Sequence, residues 1–174
     1  MADHRDALRP TVRAVLTRLE PTPALVINQI GDVIAWNNGG RLLFGPSGLL
    51  DGSPPNTNRY IFADPRARET FPDWELAAEI ALRQLRRSTC PHTEEFVASL
   101  SAEAPEFGER FAAFTADGQP FGEIPFQHPA AGTLRLAYEL LDLSIVEQQF
   151  LVVCLPADDH TRRAFDRLSA GTGC

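Results

Sequence analysis

One stretch in the second half of the chain constrains the fold most, because it carries three strand patterns in succession. Residues 123–128 and 133–140 alternate between apolar and polar side chains, the period that places one face of a strand on a core. Residues 150–155 are apolar without a break, as in a central strand covered on both faces. The connections at 129–132 and 144–148 are short, so we predict an antiparallel meander.

A strand pair and a short helix are predicted upstream of the meander. Residues 24–30 form an apolar run, Gly31-Asp32 makes a two-residue turn, and residues 33–36 return, which is typical of a hairpin. A short helix follows over 38–44. Residues 45–58 are rich in Gly, Pro, Ser and Asn and indicate a loop.

A block of helices separates the hairpin from the meander. The first long helix ends near Ser88, where Arg86 and Arg87 suit its negative C-terminal end. Further helices are predicted over 94–100 and from Pro105. The apolar residues of the long helix fall on one stripe, formed by Trp74, Ala77, Ala78, Ala81 and Leu85.

A helix is also predicted at each end of the chain. The first ends before Pro21, and the last covers 159–168. The first helix has an apolar stripe that packs either on the chain's own sheet or against a second copy across a two-fold axis: Val12, Val15, Leu16 and Leu19.

The predicted elements together define an α+β fold. It has a five-stranded antiparallel sheet, helices inserted between strands 2 and 3, and helices at both termini. We divide the chain into an N-terminal linker helix over 1–21 and one sheet domain over 22–170. The length of 174 residues suits this size.

Composition favours a cytoplasmic globular protein. No apolar run reaches the length of a membrane span, and the charged start is unlike a signal peptide. Three separated cysteines suggest no disulfide framework. A net charge of -7, with scattered arginines and no lysine, argues against unaided nucleic-acid binding.

Motifs for catalysis, metals and nucleotides are not found in the sequence. The histidines lie in no recognisable nucleophile–base arrangement, and no P-loop or dinucleotide-binding glycine motif occurs. Cys90 and His92 lack a second ligand pair at zinc-finger spacing. We therefore expect no catalytic residue, no metal and no cofactor.

The chain is rich in phenylalanine, with 11 residues of this type. Two interpretations remain open: simple packing in the core, or the wall of an apolar pocket for a small molecule. Most of the aromatic residues in question lie in the helical block: Phe62, Phe71, Trp74, Phe107, Phe111 and Phe114.

A collinear set of short motifs resembles the MmyB-like ligand-binding domain of bacterial transcription regulators. Each motif is weak alone, but their order over about 10–168 is specific. The matching pieces are Thr22-Pro23-Ala24-Leu25-Val26, Gly31-Asp32-Val33-Ile34-Ala35-Trp36-Asn37, Asn56-x-x-Arg59-x-x-Phe62-x-Asp64-Pro65-Arg66-Ala67-Arg68, Asp73-Trp74, Pro105-Glu106-Phe107, Phe126-x-His128-Pro129-x-x-Gly132 and Leu134-x-Leu136-x-Tyr138-Glu139.

The resemblance implies a PAS-like fold and an internal cavity for a fatty-acid-like effector that alters DNA binding. Members of the family carry an N-terminal helix-turn-helix domain, for which this chain has no room. We therefore expect DNA contact only through a domain outside this chain, with the first helix as the lever, or else a stand-alone sensor. A homodimer is also expected.

The predicted ligand site combines these motifs with the aromatic residues. Arg59 is the candidate partner for a carboxylate, through two parallel hydrogen bonds. Alternatively it pairs with an internal acid such as Asp64 or Asp73, while Asn56 caps a short helix. The complete predicted site is Arg59, Asn56, Trp36, Asn37, Phe62, Trp74, Phe107, Phe111, Phe114 and Tyr138.

Two other classes of function stay open at this point. An enzyme acting on a small apolar substrate would place a residue of perturbed pKa in the cavity. A purely structural dimerisation module would have a filled core.

Overall fold

The computed structural model describes residues 8–115, 117–144 and 148–171. Its sheet has five strands in the order β2-β1-β5-β4-β3, and every neighbouring pair is antiparallel. This confirms the predicted PAS-like sheet; of the predicted connection at 144–148, residues 145–147 lie outside the described residues. The strands are β1 (Ala24–Asn28), β2 (Val33–Trp36), β3 (Phe121–His128), β4 (Gly132–Ser144) and β5 (Gln149–Pro156).

The sequence pattern of the meander determines which side chains are buried. In β4, Leu134 and Leu136 are buried in the main core. In β5, Cys154 joins the same core, while Leu151 packs into a separate cluster on the opposite face. The unbroken apolar run therefore forms the central strand, as predicted, because both of its faces are covered.

The helices lie between β2 and β3 and at the two ends, as predicted. Asn38–Phe44 forms the predicted short helix, and Asp73 caps the long one by accepting from the Leu76 amide at 3.2 Å. The helices are α1 (Pro10–Arg18), α2 (Asn38–Phe44), α3 (Thr57–Ala63), α4 (Ala67–Thr70), α5 (Trp74–Arg86), α6 (Thr93–Glu103), α7 (Pro105–Ala113) and α8 (Asp159–Ala170).

The two faces of the sheet carry different layers. On the inner face, α3 and α5 cover the main core. On the outer face, α1 buries Val12 and Leu16 against Ala24, Val26 and Leu151. Of the two partners open for the α1 stripe, its own sheet covers these two residues, while Val15 stays exposed.

Candidate functional site

A cavity of about 170 Å³ lies between the inner face of the sheet and helices α3 and α5. All strands except β2 contribute to its wall. The exposed wall residues Arg87, Gln119 and Pro120 mark its opening. The apolar part of the wall is Leu25, Ile27, Phe44, Leu49, Ile61, Phe71, Ala77, Ile80, Ala81, Ile124, Leu136, Leu140, Val152 and Cys154.

Small side chains on α5 keep this space open. Ala77 and Ala81 belong to the predicted apolar stripe, are buried, and face the cavity one turn apart. A larger side chain at either position would extend into the cavity. The sequence pattern thus gives the helix a core-facing side, and its alanines leave room next to the sheet.

The last turns of α5 change the cavity wall from apolar to basic. Leu76, Ile80, Arg83 and Arg87 follow the i, i+4, i+7, i+11 spacing of one helix face. Of these, Ile80, Arg83 and Arg87 line the cavity. The mouth therefore carries two guanidinium groups beside a largely apolar interior.

Arg83 is the most unusual side chain of the site. Its Nε atom is buried and has no hydrogen-bond partner among the residues that the structure describes. The guanidinium lies directly over Gly118, in space that a Cβ atom at that position would occupy. A buried charged donor without a partner is costly, so this geometry suits an acceptor supplied from outside.

Tyr138 is the polar neighbour of Arg83 inside the cavity. Burial raises the pKa of the Tyr138 hydroxyl, and the nearby Arg83 guanidinium partly opposes that rise. The hydroxyl thus stays protonated at neutral pH and is able to donate a hydrogen bond.

A second depression adjoins the mouth and shares both of its arginines. It is also lined by Arg86 and by the segment that contains Asp117. Arg86 is already engaged: it donates to the Phe114 carbonyl at 3.3 Å and lies 4.6 Å from the Phe111 ring centre. Asp117 is the acidic residue in the lining.

Of the predicted site residues, the structure brings Tyr138 to the cavity wall. Most of the predicted aromatics pack elsewhere, in the layer formed by α5, α6 and α7. Phe62 contacts Trp74 and Phe107 edge-on, with ring centres 5.7 and 5.0 Å apart. Phe107 stacks on Phe111 at 5.6 Å, and Phe114 joins the same cluster. These side chains fit the core-packing interpretation.

Arg59 lies outside the cavity and has partners within the chain. It forms an ion pair with Glu103, donates to Ser99 Oγ at 3.0 Å, and sits 5.3 Å from the Phe96 ring centre. Its acid is therefore Glu103, rather than the Asp64 or Asp73 that the sequence suggested. These contacts connect α3 to α6, and they pair the guanidinium charge of Arg59 within the chain.

Two predicted asparagines cap helices. Asn56 accepts from the Arg59 amide at 2.9 Å at the start of α3, as the alternative interpretation held. Asn37 is buried, caps α2 through the Gly40 amide at 2.8 Å, and donates to the Thr22 carbonyl at 2.8 Å. Trp36 is 38% exposed at the end of β2. None of these three residues belongs to the described cavity wall.

Sequence reasoning missed Arg83, Arg87 and the alanines of α5 as site residues. It assigned Arg87 to the helix dipole and the alanines to ordinary packing. The available signal was the single face on which Ile80 is followed by Arg83 and Arg87. A face that turns from apolar to basic along one helix matches a ligand with an apolar body and an anionic end.

The titratable residues of the described chain form no metal cluster and no evident catalytic pair. No group of three or more His, Cys, Asp or Glu side chains able to hold a metal occurs there. Both ring nitrogens of buried His128 are occupied, by the Ala130 and Ala131 amides and the Leu42 carbonyl. Burial raises the pKa of the Cys154 thiol to about 12, so it is not a thiolate at neutral pH.

An α+β sheet domain with a largely apolar cavity beneath its helices is a small-molecule-binding domain. The chain belongs to the family described as the MmyB-like transcription regulator ligand binding domain, whose model matches residues 8–168. It is thus a ligand-sensing regulatory domain. Within the described residues, no helix is both long and apolar enough to cross a membrane.

The comparisons with individual proteins add little detail. No curated protein matches the chain. Among solved structures, it is similar to the crystal structure of the PAS domain of an HTR-like protein from Haloarcula marismortui, at 12% identity and a TM-score of 0.36. That match covers 86% of this chain and 99% of the other.

Proposed function

We propose that the cavity between the sheet and α5 binds an apolar or fatty-acid-like effector of a bacterial transcription regulator. The observation that carries the proposal is the cavity itself, walled by apolar side chains from four strands and from helices that include α3 and α5. Binding pockets for small molecules are mainly apolar with a few placed polar groups, and this one meets that description.

The same proposal covers the context of the domain. It acts in the cytoplasm, performs no catalysis, and reaches DNA through a helix-turn-helix domain rather than through its own surface. The net charge of -7 supports the last point. The boundary between a linker helix over 1–21 and the sheet domain over 22–170 is part of the proposal. A homodimer is also part of the proposal.

The test is to fill the cavity. Ala81→Leu adds three carbons at a buried wall position. We expect the wild-type melting temperature to rise in saturating octanoate or octanol, by about 5–10 °C for the roughly 2.7 kcal/mol that a ligand at a hundred times its Kd contributes. Ala81→Leu should lose this response while keeping its unliganded stability within about 2 kcal/mol.

A matched control separates cavity filling from a general effect of the substitution. Ala98→Leu makes the same change on the exposed face of α6, and we expect its response to both compounds to equal that of the wild type. If the wild type responds to neither compound, or if Ala81→Leu binds them as well as Ala98→Leu does, the cavity is not the effector site.

A further inference from the structure

We infer that the effector is a compact organic acid, with an apolar body of about six to eight carbons in the cavity and its carboxylate on Arg83. This inference rests on the proposed function and deepens it in two respects. It assigns the anionic end of the ligand to a particular side chain, and it limits the length of the apolar end.

The charge of Arg83 is the first observation. Three arginines lie near the C-terminal end of α5, where positive charge also offsets the helix dipole. That role applies to Arg83 as well, but Arg83 differs from the exposed Arg86 and Arg87 because its Nε is buried without a partner in the described part of the chain. A guanidinium binds a carboxylate through charge-assisted hydrogen bonds, so an entering acid would supply the missing acceptor.

Two polar groups in the cavity wall already donate hydrogen bonds within the chain. Thr57 Oγ1 donates to the Gly31 carbonyl at 3.2 Å, and Asn58 Nδ2 donates to the Ile30 carbonyl at 2.8 Å. Each of these two side chains therefore has one donated hydrogen bond inside the chain. Near Arg83, the protonated Tyr138 hydroxyl is a second donor for the same carboxylate.

The volume is the second observation. An engineered apolar cavity of about 150 Å³ accommodates benzene, which has six carbons. The present cavity of about 170 Å³ is only slightly larger, and drug-sized ligands occupy about 300–1,000 Å³. Beyond the mouth lies the basic depression lined by Arg83, Arg86 and Arg87, where additional methylene groups would meet charged side chains and water.

The charge of Arg83 and the volume of the cavity together determine how the ligand is oriented. The carboxylate stays at the mouth, and the apolar body points towards Leu25, Ile27 and Val152 on the sheet. Each buried CH₂ contributes about 0.8 kcal/mol, roughly a fourfold gain in affinity. Affinity should rise with chain length only until the cavity is full.

The experiment is calorimetric titration of the full chain at pH 7.5 with straight-chain carboxylates of four to fourteen carbons and with neutral octanol. We expect affinity to rise about fourfold per carbon up to about octanoate and then to level off. Arg83→Met, which keeps an unbranched side chain but removes the guanidinium, should lower the affinity for octanoate at least tenfold and that for octanol by less than about twofold.

Two further variants make the result specific. Arg163→Met removes an exposed arginine of α8 and should leave both affinities unchanged. Gly118→Ala keeps Arg83 but places a Cβ atom in the space of its guanidinium. We therefore expect a lower affinity for octanoate and an unchanged affinity for octanol. This variant also keeps the test valid if Arg83→Met fails to fold.

The outcomes distinguish this inference from the proposed function. Two results would refute the role of Arg83 as the partner of the carboxylate. One is equal affinity of the wild type for octanoate and octanol, and the other is an equal loss of both affinities in Arg83→Met. A continued fourfold gain per carbon up to fourteen carbons would overturn the size limit. In each case the cavity would still bind a ligand, whereas binding of none of these compounds would refute the proposed function itself.

Discussion

At the scale of single residues, Cys154 shows how the cavity wall controls ionisation. This thiol is buried in β5, and its pKa rises from an ordinary 9.0 to about 12 because the charged form loses its hydration. In the unfolded chain the thiol deprotonates near its ordinary value. Between these two pH values the unfolded state binds fewer protons than the folded state, so stability falls as pH rises.

The fall of stability with rising pH leads to a prediction for alkaline conditions. The free energy of unfolding of the wild type should be insensitive to this thiol below pH 9 and should fall above it, by up to about 1.4 kcal/mol per pH unit. Cys154→Ala removes that contribution, so its urea-unfolding curves at pH 8, 9 and 10 should show a smaller fall.

The control for this measurement is Cys90→Ala, which removes a half-buried thiol that is not part of the cavity wall. Tyr138 also has a raised pKa, but it is present in every variant and cancels in the comparison. Identical pH dependence in the wild type and Cys154→Ala would contradict the burial of this thiol.

Asn37 has a structural role that its position in the sequence did not reveal. Sequence reasoning placed it in the ligand site because it follows a strand in the family motif. In the structure its amide accepts from the Ala24 and Gly40 amides and donates to the Leu16 and Thr22 carbonyls. It therefore joins α1, β1 and α2, and a buried amide with four partners is a structural residue.

At the scale of elements, α5 and α1 pack on opposite faces of the sheet and differ in how closely they fill the space beside it. Helix α5 presents alanines to the inner face and leaves a cavity. Helix α1 presents Val12 and Leu16 to the outer face and leaves both buried. The small residues of α5 thus leave a space beside the sheet, whereas α1 is docked directly on it.

The docking of α1 is testable by two substitutions on the same helix. Leu16→Ala removes a side chain that is 3% exposed, and we expect it to lower the free energy of unfolding by about 2–5 kcal/mol. Val15→Ala changes a side chain that is 46% exposed and should cost less than about 0.5 kcal/mol. Chemical denaturation measures both, and equal effects would show that the helix is not held on the sheet.

At the scale of the whole molecule, α1 covers only part of the outer sheet face. Because side chains alternate along a strand, Leu141 of β4 and Leu155 of β5 point away from the cavity, and both are nearly half exposed. Leu141 lies opposite Leu151, which α1 covers. The exposed leucines and Val15 thus extend the apolar surface beyond the helix.

We predict that this uncovered surface mediates the proposed homodimer, since isologous pairing of one apolar face with its copy buries both. Sedimentation velocity should show a dimer as protein concentration increases. The double variant Leu141→Glu, Leu155→Glu should shift the protein to monomer, because like charges would face each other across the two-fold axis. Arg163→Met, on α8, should leave the dimer intact. A wild type that stays monomeric at high concentration would refute this prediction.

The sequence by itself determined the five strands and most of the helices, although α3 begins inside the segment predicted as a loop. Local periodicity is visible in the alternation of β4, the apolar run of β5 and the stripe of α5. It predicts which side chains are buried without knowledge of the distant contacts. The collinear motifs likewise identified the family over nearly the whole chain. The cavity could be expected from the family, but its walls could not be read from the pattern.

Only the tertiary structure decided where the cavity lies and which charge it presents. Phe62, Phe107 and Arg59 resemble a ligand site in sequence, but each also contacts a residue at least 40 positions away. Phe62 packs on Phe107, and Arg59 pairs with Glu103. Periodicity states that a side chain is buried, not what it is buried against. A cavity is space left by residues from distant segments, and a buried Nε without a partner among the described residues, as in Arg83, is recognised only when its neighbours are known. The site at Ala81, Arg83 and Tyr138 therefore emerged from packing.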